Sequence, residues 1–160
     1  MNEVANPRHA VEVRPEPRSR VFFAVIVVVA AAGIGVSGVA LQRHYAKSKT
    51  SFCELGQKFD CDIVNRSDYS SLMGIPVAGI GVAGYGVLLV LSWRCRSRGE
   101  APAWLLATAA AGLAFALYLT YVEAYILTTW CILCLSSLAL IVMITVLATI
   151  AQLRWREAHR

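Results

Sequence analysis

The sequence predicts an all-α protein, an integral membrane four-helix bundle. Of its 160 residues, 58% are hydrophobic and only 16% are charged, whereas about 45–50% apolar residues is usual for soluble domains. The apolar residues form four blocks, each long enough for the helix of about 20 residues that crosses a bilayer core. No block carries a charged stripe at the helical period, so four buried helices of a soluble protein are disfavoured. We place the spans at about residues 21–42, 72–93, 103–127 and 130–153.

These spans fill most of the chain and therefore predict one four-span domain over residues 21–153. Residues 1–20 and 154–160 form short tails, and residues 43–71 form the one long loop. The first span follows a basic segment, as a signal peptide would. It is longer than a signal h-region of about 7–15 residues, so we interpret it as a retained span.

The distribution of basic residues predicts the orientation of the domain. The net charge is +5, and ten of the fifteen Lys and Arg residues lie in the two tails and in the link between spans two and three. These three segments share one side of a four-span protein, and the positive-inside rule assigns that side to the cytoplasm. The loop over residues 43–71 and the short link near Thr128 then face outside. Topology thus explains the basic charge, which disfavours nucleic-acid binding.

Four of the five cysteines fall on the predicted outer side of the membrane. Cys53 and Cys61 lie in the long loop, and Cys131 and Cys134 open the fourth span. Disulfides form and persist outside the cytoplasm, and the charges set this orientation without reference to cysteine. Cys95 falls on the cytoplasmic side, where we expect a reduced, incidental thiol.

The pair Cys131 and Cys134 is predicted to be redox-active. Residues three apart share one face of a helix, so the two sulfurs can bond. The free N–H groups and the dipole of a first helical turn favour the thiolate, which is the nucleophile in thiol–disulfide exchange. One alternative is a structural or assembly membrane protein whose disulfides are merely structural. A four-cysteine zinc site is disfavoured because Cys53 and Cys61 are too widely spaced, so we expect no metal.

The second half of the long loop predicts a short helix at the membrane surface. Ser67 would cap a helix over residues 68–73, and Gly74 would end it. Pro76 would lie in the first turn of the second span. Such an interfacial helix would cover the outer end of the bundle.

The residues from Cys61 to Ala78 carry a more specific pattern. They read CDIVNRSDYSSLMGIPVA, and they are followed by Glu123 and by WCILC at residues 130–134. In this order, with the loop cysteines first and the C-x-x-C pair at the fourth span, the chain resembles the bacterial form of the vitamin K epoxide reductase family. The resemblance covers all four spans.

The resemblance implies a quinone-linked thiol oxidoreductase that supports disulfide formation. Cys131 and Cys134 match the active pair of the family, with Cys134 reducing the quinone. Cys53 and Cys61 match the shuttle pair that exchanges with a partner protein. Ser67 matches a loop serine that the family places near the quinone. In a member of the bacterial type, the resemblance implies a quinone and not an epoxide as the electron acceptor.

The resemblance also implies a cofactor, a partner and a location. The acceptor would be a membrane quinone of the menaquinone, ubiquinone or vitamin K type. The donor would be a thioredoxin-like, DsbA-like protein acting in trans, since the sequence has no fused thioredoxin-like domain. The protein would be a multi-pass component of the bacterial cytoplasmic membrane, with both termini inside and the redox cysteines outside.

Glu123 is the one charged residue inside a predicted span. Intramembrane acids are costly and by default indicate function, and quinone reduction consumes two protons, so a proton relay is one interpretation. Glu123 lies about 8 Å from the outer end of its span, where it could instead reach water or cap a polar contact. We favour that structural role. Four nearby aromatic residues invite stacking on a quinone, namely Tyr118, Tyr121, Tyr125 and Trp130. For Trp130 and Tyr125 we favour an interfacial belt instead.

Overall fold

The computed structural model describes residues 17–45, 64, 67, 70–72, 74–98, 102–158 and 160. Four long helices dominate this part of the chain: α1 Pro17–Tyr45, α2 Val77–Arg98, α3 Ala103–Val122 and α4 Ile132–Ala158. Four segments are long and apolar enough to cross a membrane: Val21–Tyr45, Val77–Arg98, Ala103–Leu127 and Ile132–Glu157. The predicted all-α, four-helix membrane bundle is therefore confirmed.

The four helices do not pack equally against one another. Helix α1 packs extensively on α2 and also contacts α4, and α4 in turn packs on α3. Helices α2 and α3 share far fewer contacts, although they are joined by a short link. The bundle is therefore closed on three sides, with a loosely packed seam between α2 and α3.

The buried apolar core lies at one end of the bundle. It is built mainly from the N-terminal half of α1, the start of α3, residues 85–95 of α2 and residues 141–151 of α4, and its members include Ile26, Leu88, Leu105 and Ile144. Close packing of such side chains is the main stabilising contribution in a bilayer, where burial in lipid offers no net hydrophobic gain. The opposite end, which we call the Cys131 end, lies beyond this core.

Small residues allow α1 and α2 to approach closely. A Cβ atom added at Gly33 would lie 2.5 Å from the ring of Tyr85, and one added at Gly81 would lie 2.8 Å from the hydroxyl of Ser37. Small residues at helix contacts are typical of membrane bundles. Their consequence here is that the ring of Tyr85 is held firmly against α1.

The chain turns back on itself before α2, which the sequence did not predict. Strands β1 (Ser71–Leu72) and β2 (Ile75–Pro76) pair in antiparallel fashion, with Gly74 at φ +83° in the turn. The prediction of a helix over residues 68–73 is therefore wrong at residues 71 and 72, which form β1. Helix α2 begins at Val77 rather than near residue 72. The physical reason is that Gly74 adopts positive φ, while Pro76 keeps the residue before it extended.

The remainder of that predicted interfacial helix is described only in part. Ser70 lies in a 3₁₀ turn, and Val64, earlier in the loop, is helical. Residues 68, 69 and 73 lie outside the described residues.

Helix α3 continues into a π-helical turn over Glu123–Leu127. Thr128 then adopts a left-handed conformation with φ 51°, and its N–H donates to the carbonyl of Glu123. The N–H of Thr129 donates to the same carbonyl at 3.2 Å. A left-handed residue after a helix satisfies its last carbonyls and turns the chain sharply. The link to α4 is consequently very short, as the sequence predicted.

Candidate active site

Glu123, Cys131 and Cys134 form a compact cluster at the Cys131 end of the bundle. One ligand atom from each residue lies within 4.8 Å of the other two. Cys131 is 0% exposed and Glu123 is 2% exposed, whereas Cys134 is half-buried and carries a free thiol. The short link after α3 produces this arrangement, because Glu123 begins the π-helical turn, Cys131 immediately precedes α4 and Cys134 lies in the first turn of α4. Such π turns occur frequently at functional sites.

The carboxylate of Glu123 caps the beginning of α4. The backbone N–H of Cys131 donates to Glu123 Oε2 at 3.1 Å, a contact that satisfies one of the open donors at a helix N-terminus. The polar contact, which the sequence offered as one structural role of Glu123, agrees with this geometry, and the side chain is 2% exposed. The other oxygen, Oε1, is also buried and has no hydrogen-bond partner among the described residues.

A cavity of about 370 Å³ lies beside this cluster. All four helices contribute to its wall, which is mainly apolar and also includes Ser67, Glu123 and Cys134. Its volume falls within the range of about 300–1,000 Å³ that is typical of small-molecule sites. Cys131 is not among the residues of the wall. The two cysteines therefore differ in access: Cys134 faces the cavity, whereas Cys131 is enclosed.

A second polar pair, which the sequence did not predict, lies deeper in the same cavity. Tyr85 of α2 donates its hydroxyl to the carbonyl of Ser137 at 2.8 Å and lies 2.9 Å from the Ser137 hydroxyl. Both residues contribute to the cavity wall. Ser137 follows Cys134 by three residues and so shares its helix face, which is a signal available in the sequence. Nothing local in the sequence pairs it with Tyr85.

Ser67 lies at the wall of the cavity but does not act as the predicted helix cap. Its hydroxyl donates to the carbonyl of Val64 at 2.8 Å. The N–H of Ser70, the third residue of the predicted helix, donates to the backbone carbonyl of Ser67 at 2.9 Å, not to the side chain. Ser67 therefore closes the turn that precedes it, and its side chain does not accept the N–H of Ser70, the one predicted capping donor that the structure describes.

The remaining candidates are not part of the described cluster. The loop cysteines Cys53 and Cys61 lie outside the described residues. Tyr118, Tyr121 and Tyr125 are 55%, 56% and 74% exposed, respectively, and neither they nor Trp130 contribute to the cavity wall. The outward position of Tyr125 is consistent with the interfacial belt that the sequence predicted for Tyr125 and Trp130.

Cys95 lies in the apolar core, far along α2 from the Cys131 end. It is 4% exposed and packs with the buried residues of that core. A thiol in such a position behaves as a small apolar side chain. The geometry therefore gives Cys95 no contact with the cluster at Glu123.

The cluster also contains donor atoms that a metal ion could use. Two sulfurs and one carboxylate are a set that Zn²⁺ accepts in proteins, with a fourth position left open. Binding would require both cysteines to be reduced and deprotonated. The absence of a metal from the working protein stays a prediction.

The sequence model for the Vitamin K epoxide reductase family matches residues 24–149 of the chain. The matched range includes Glu123, Cys131 and Cys134, together with the residues that form the cavity wall. No curated protein sequence matches the chain.

Proposed function

Because the chain belongs to the Vitamin K epoxide reductase family, which implies thiol–disulfide oxidoreductase activity, we propose that it transfers electrons from a protein thiol to a membrane quinone. The observation that carries this proposal is the position of Cys134, whose side chain contributes to the wall of an apolar cavity. A redox-active sulfur at the surface of such a cavity is suited to an apolar electron acceptor.

The cavity fits a quinone in four respects. Its volume suffices for a substituted ring, and its wall is mainly apolar. Its polar groups include the hydroxyls of Ser67 and Tyr85, which now donate to the carbonyls of Val64 and Ser137 and would turn to a quinone oxygen when one is bound. The seam between α2 and α3, where contacts are few, offers a route from the lipid. A bound quinone would supply an acceptor for two electrons and two protons.

Two cysteine pairs would divide the transfer of electrons. A thiolate of a thioredoxin-like partner would attack the Cys53–Cys61 disulfide, and a loop thiolate would then attack Cys131 and release Cys134. Each step exchanges one S–S bond for another through a mixed disulfide. Because Cys131 is 0% exposed, the second step requires the residues that cover it to move. Cys134 would then remain as the sulfur that faces the cavity.

The same proposal places this exchange on the outer side of the membrane. The concentration of Arg in the two tails and in the α2–α3 link supports a cytoplasmic position for these segments. The Cys131 end of the bundle and the loop over residues 43–71 would then face the outside of a bacterial cytoplasmic membrane. Disulfide formation in exported proteins would supply the electrons.

The proposal is tested by quinone reduction with the purified protein. We expect a thioredoxin-like protein with a reduced C-x-x-C pair to support reduction of ubiquinone or menaquinone. Cys53→Ala and Cys61→Ala should lose this activity but retain part of the activity with dithiothreitol, because a small dithiol can reach the Cys131–Cys134 pair without a shuttle. In sealed vesicles, the protein donor should act only when the loop over residues 43–71 faces it.

Two results would contradict this division of labour. If the loop variants lost activity equally with dithiothreitol and with the protein donor, the relay between the two pairs would be wrong. If the protein donor acted only from the side that carries the tails, the proposed orientation would be wrong.

A smaller effect is expected from Ser67→Ala. We propose that the Ser67 hydroxyl, now bonded to the Val64 carbonyl, lies close enough to the acceptor to hydrogen-bond it. A hydrogen bond is worth about 1 kcal/mol, so its loss should reduce kcat/KM for the quinone by about five- to tenfold. Ser71→Ala, at an exposed position outside the cavity wall, is the matched control. Equal kinetics for the two variants would remove Ser67 from the site.

A further inference from the structure

Oxidation of the Cys131–Cys134 pair releases two protons as well as two electrons. These protons arise where solvent has little access, since Cys131 is 0% exposed and Glu123 beside it is 2% exposed. A proton carrier within the protein is therefore needed at this position. Among the described residues, the carboxylate of Glu123 is the acid–base group that lies within 4.8 Å of both sulfurs.

We propose that Glu123 is a catalytic proton carrier, which takes the protons of the Cys131–Cys134 pair and delivers them to the acceptor in the cavity. This inference rests on the proposed function. It goes beyond that function by assigning the proton path to one side chain.

The hydrogen bond from Cys131 explains how Glu123 can serve in this role. The backbone N–H of Cys131 donates to Oε2 at 3.1 Å and so fixes the orientation of the carboxylate. Oε1 is left buried without a hydrogen-bond partner in the described part of the chain. The Glu123 carboxyl also hydrogen-bonds to the side chain of Cys134, which places this acid–base group in direct contact with one of the two redox sulfurs. Proton transfer to and from Oε1 would give this oxygen a function.

The position of Glu123 connects the sulfurs to the cavity. Glu123 and Cys134 both contribute to the cavity wall, whereas Cys131 does not. A proton taken from Cys131 can therefore reach the cavity through Glu123, without crossing solvent. The hydrogen bond to Cys131 holds the carboxylate between the sulfurs and the cavity. The side chain therefore needs little movement between taking a proton from a sulfur and giving it to the acceptor.

The proposed sequence balances atoms and electrons. Two S–H bonds break, one S–S bond forms between Cys131 and Cys134, and two electrons pass from the sulfurs to an acceptor of the quinone class. Oε1 takes the proton of one thiol and passes it to an acceptor oxygen, and it then does the same for the second thiol. Glu123 ends in the protonation state in which it began, and the acceptor gains two electrons and two protons.

Few other titratable groups face this region from the packed helices. His44 of α1 and Tyr85 of α2 contribute to the cavity wall, and α4 adds the two cysteines themselves. The Tyr85 hydroxyl is engaged with the carbonyl of Ser137 at 2.8 Å. Within the part of the protein that the structure describes, the carboxylate of Glu123 is therefore the acid–base group that lies beside both sulfurs.

Glu123→Gln separates proton transfer from the structural contact. The glutamine amide oxygen can still accept the N–H of Cys131, but the side chain cannot carry a proton. We expect reduction of the Cys131–Cys134 disulfide by dithiothreitol to continue, while kcat for quinone reduction falls by about 100-fold or more, as is usual for the loss of a general acid–base. Glu123→Asp should restore part of the activity. Glu157→Gln, at an exposed position near the other end of α4, is the matched control.

A spectroscopic readout tests Glu123 without any quinone. When ferricyanide oxidises the reduced Cys131–Cys134 pair, the time-resolved infrared spectrum should contain a transient carboxyl C=O band, because each proton stays on Glu123 only between its two transfers. That band should be absent from Glu123→Gln, displaced in Glu123→Asp and unchanged in Glu157→Gln. Its appearance would support the proton carrier even if the purified protein failed to reduce quinone, in which case the proposed acceptor alone would be wrong. A parent spectrum without this band, or parental kcat in Glu123→Gln, would overturn the inference.

Discussion

Cys134→Ser is expected to abolish quinone reduction, with a loss of at least about 1,000-fold from any thiol donor, as when an enzymatic nucleophile is removed. Serine nearly matches cysteine in size, so the wall of the cavity and the start of α4 should be preserved. Its hydroxyl, however, cannot form a disulfide with Cys131 and is not a thiolate at neutral pH. The measurement is the rate of quinone reduction with dithiothreitol as donor, which makes the result independent of the loop cysteines.

Cys95→Ser is the matched control for this experiment. Cys95 is buried in the apolar core of the bundle, and a serine there can bond to a carbonyl one turn earlier in its own helix. We expect its quinone reduction to remain close to that of the parent. Substantial activity in Cys134→Ser, or an equal loss in both variants, would show that Cys134 is not the sulfur that transfers electrons to the acceptor.

The local features of the bundle were accessible from the sequence. Spans were predictable because a bilayer requires about 20 apolar residues in a helix, whatever the sequence context. The proximity of Cys131 and Cys134 followed from helical geometry, in which residues three apart share a face. Both predictions depend on short-range rules alone.

Features that depend on an irregular backbone were not accessible in the same way. The hydrogen bond between Cys131 and Glu123 requires the π-helical turn over Glu123–Leu127 and the left-handed conformation of Thr128. The residue types in these two segments do not by themselves require either conformation. The hairpin around Gly74 was mistaken for a helix end, because a glycine with positive φ serves both structures. The pairing of Tyr85 with Ser137 joins distant parts of the chain, so no local rule could supply it.

The packing of the bundle suggests why the cavity lies where it does. The apolar core fills the end remote from Cys131, with large side chains such as Ile26 and Ile144 fully buried. At the Cys131 end, the wall of the cavity includes small residues of facing helices, among them Gly81, Gly84 and Ala111. One end is thus packed for stability, while the other leaves the space that the proposed acceptor needs. This division predicts that filling the space should impair activity without impairing the fold.

Gly84→Phe is the substitution that tests this prediction most directly. Gly84 contributes to the wall of the cavity, and a Cβ atom added there would meet nothing within 4 Å. A phenyl ring should therefore enter the cavity without displacing the neighbouring helices. We expect kcat/KM for the quinone to fall by about 100-fold, which corresponds to roughly 2.7 kcal/mol, mainly through a higher KM. Stability should be retained, because phenylalanine is no worse than glycine inside a helix.

Gly86→Phe provides a closely matched control for Gly84→Phe. It makes the same substitution two residues further along α2, also at a position where an added Cβ would meet nothing within 4 Å, but Gly86 is not part of the cavity wall. Gly86→Phe should retain nearly parental quinone kinetics. If both variants raised KM equally, the effect would lie in α2 as a whole. If neither raised KM, the acceptor would bind outside this cavity, and Cys134 would have to meet it elsewhere.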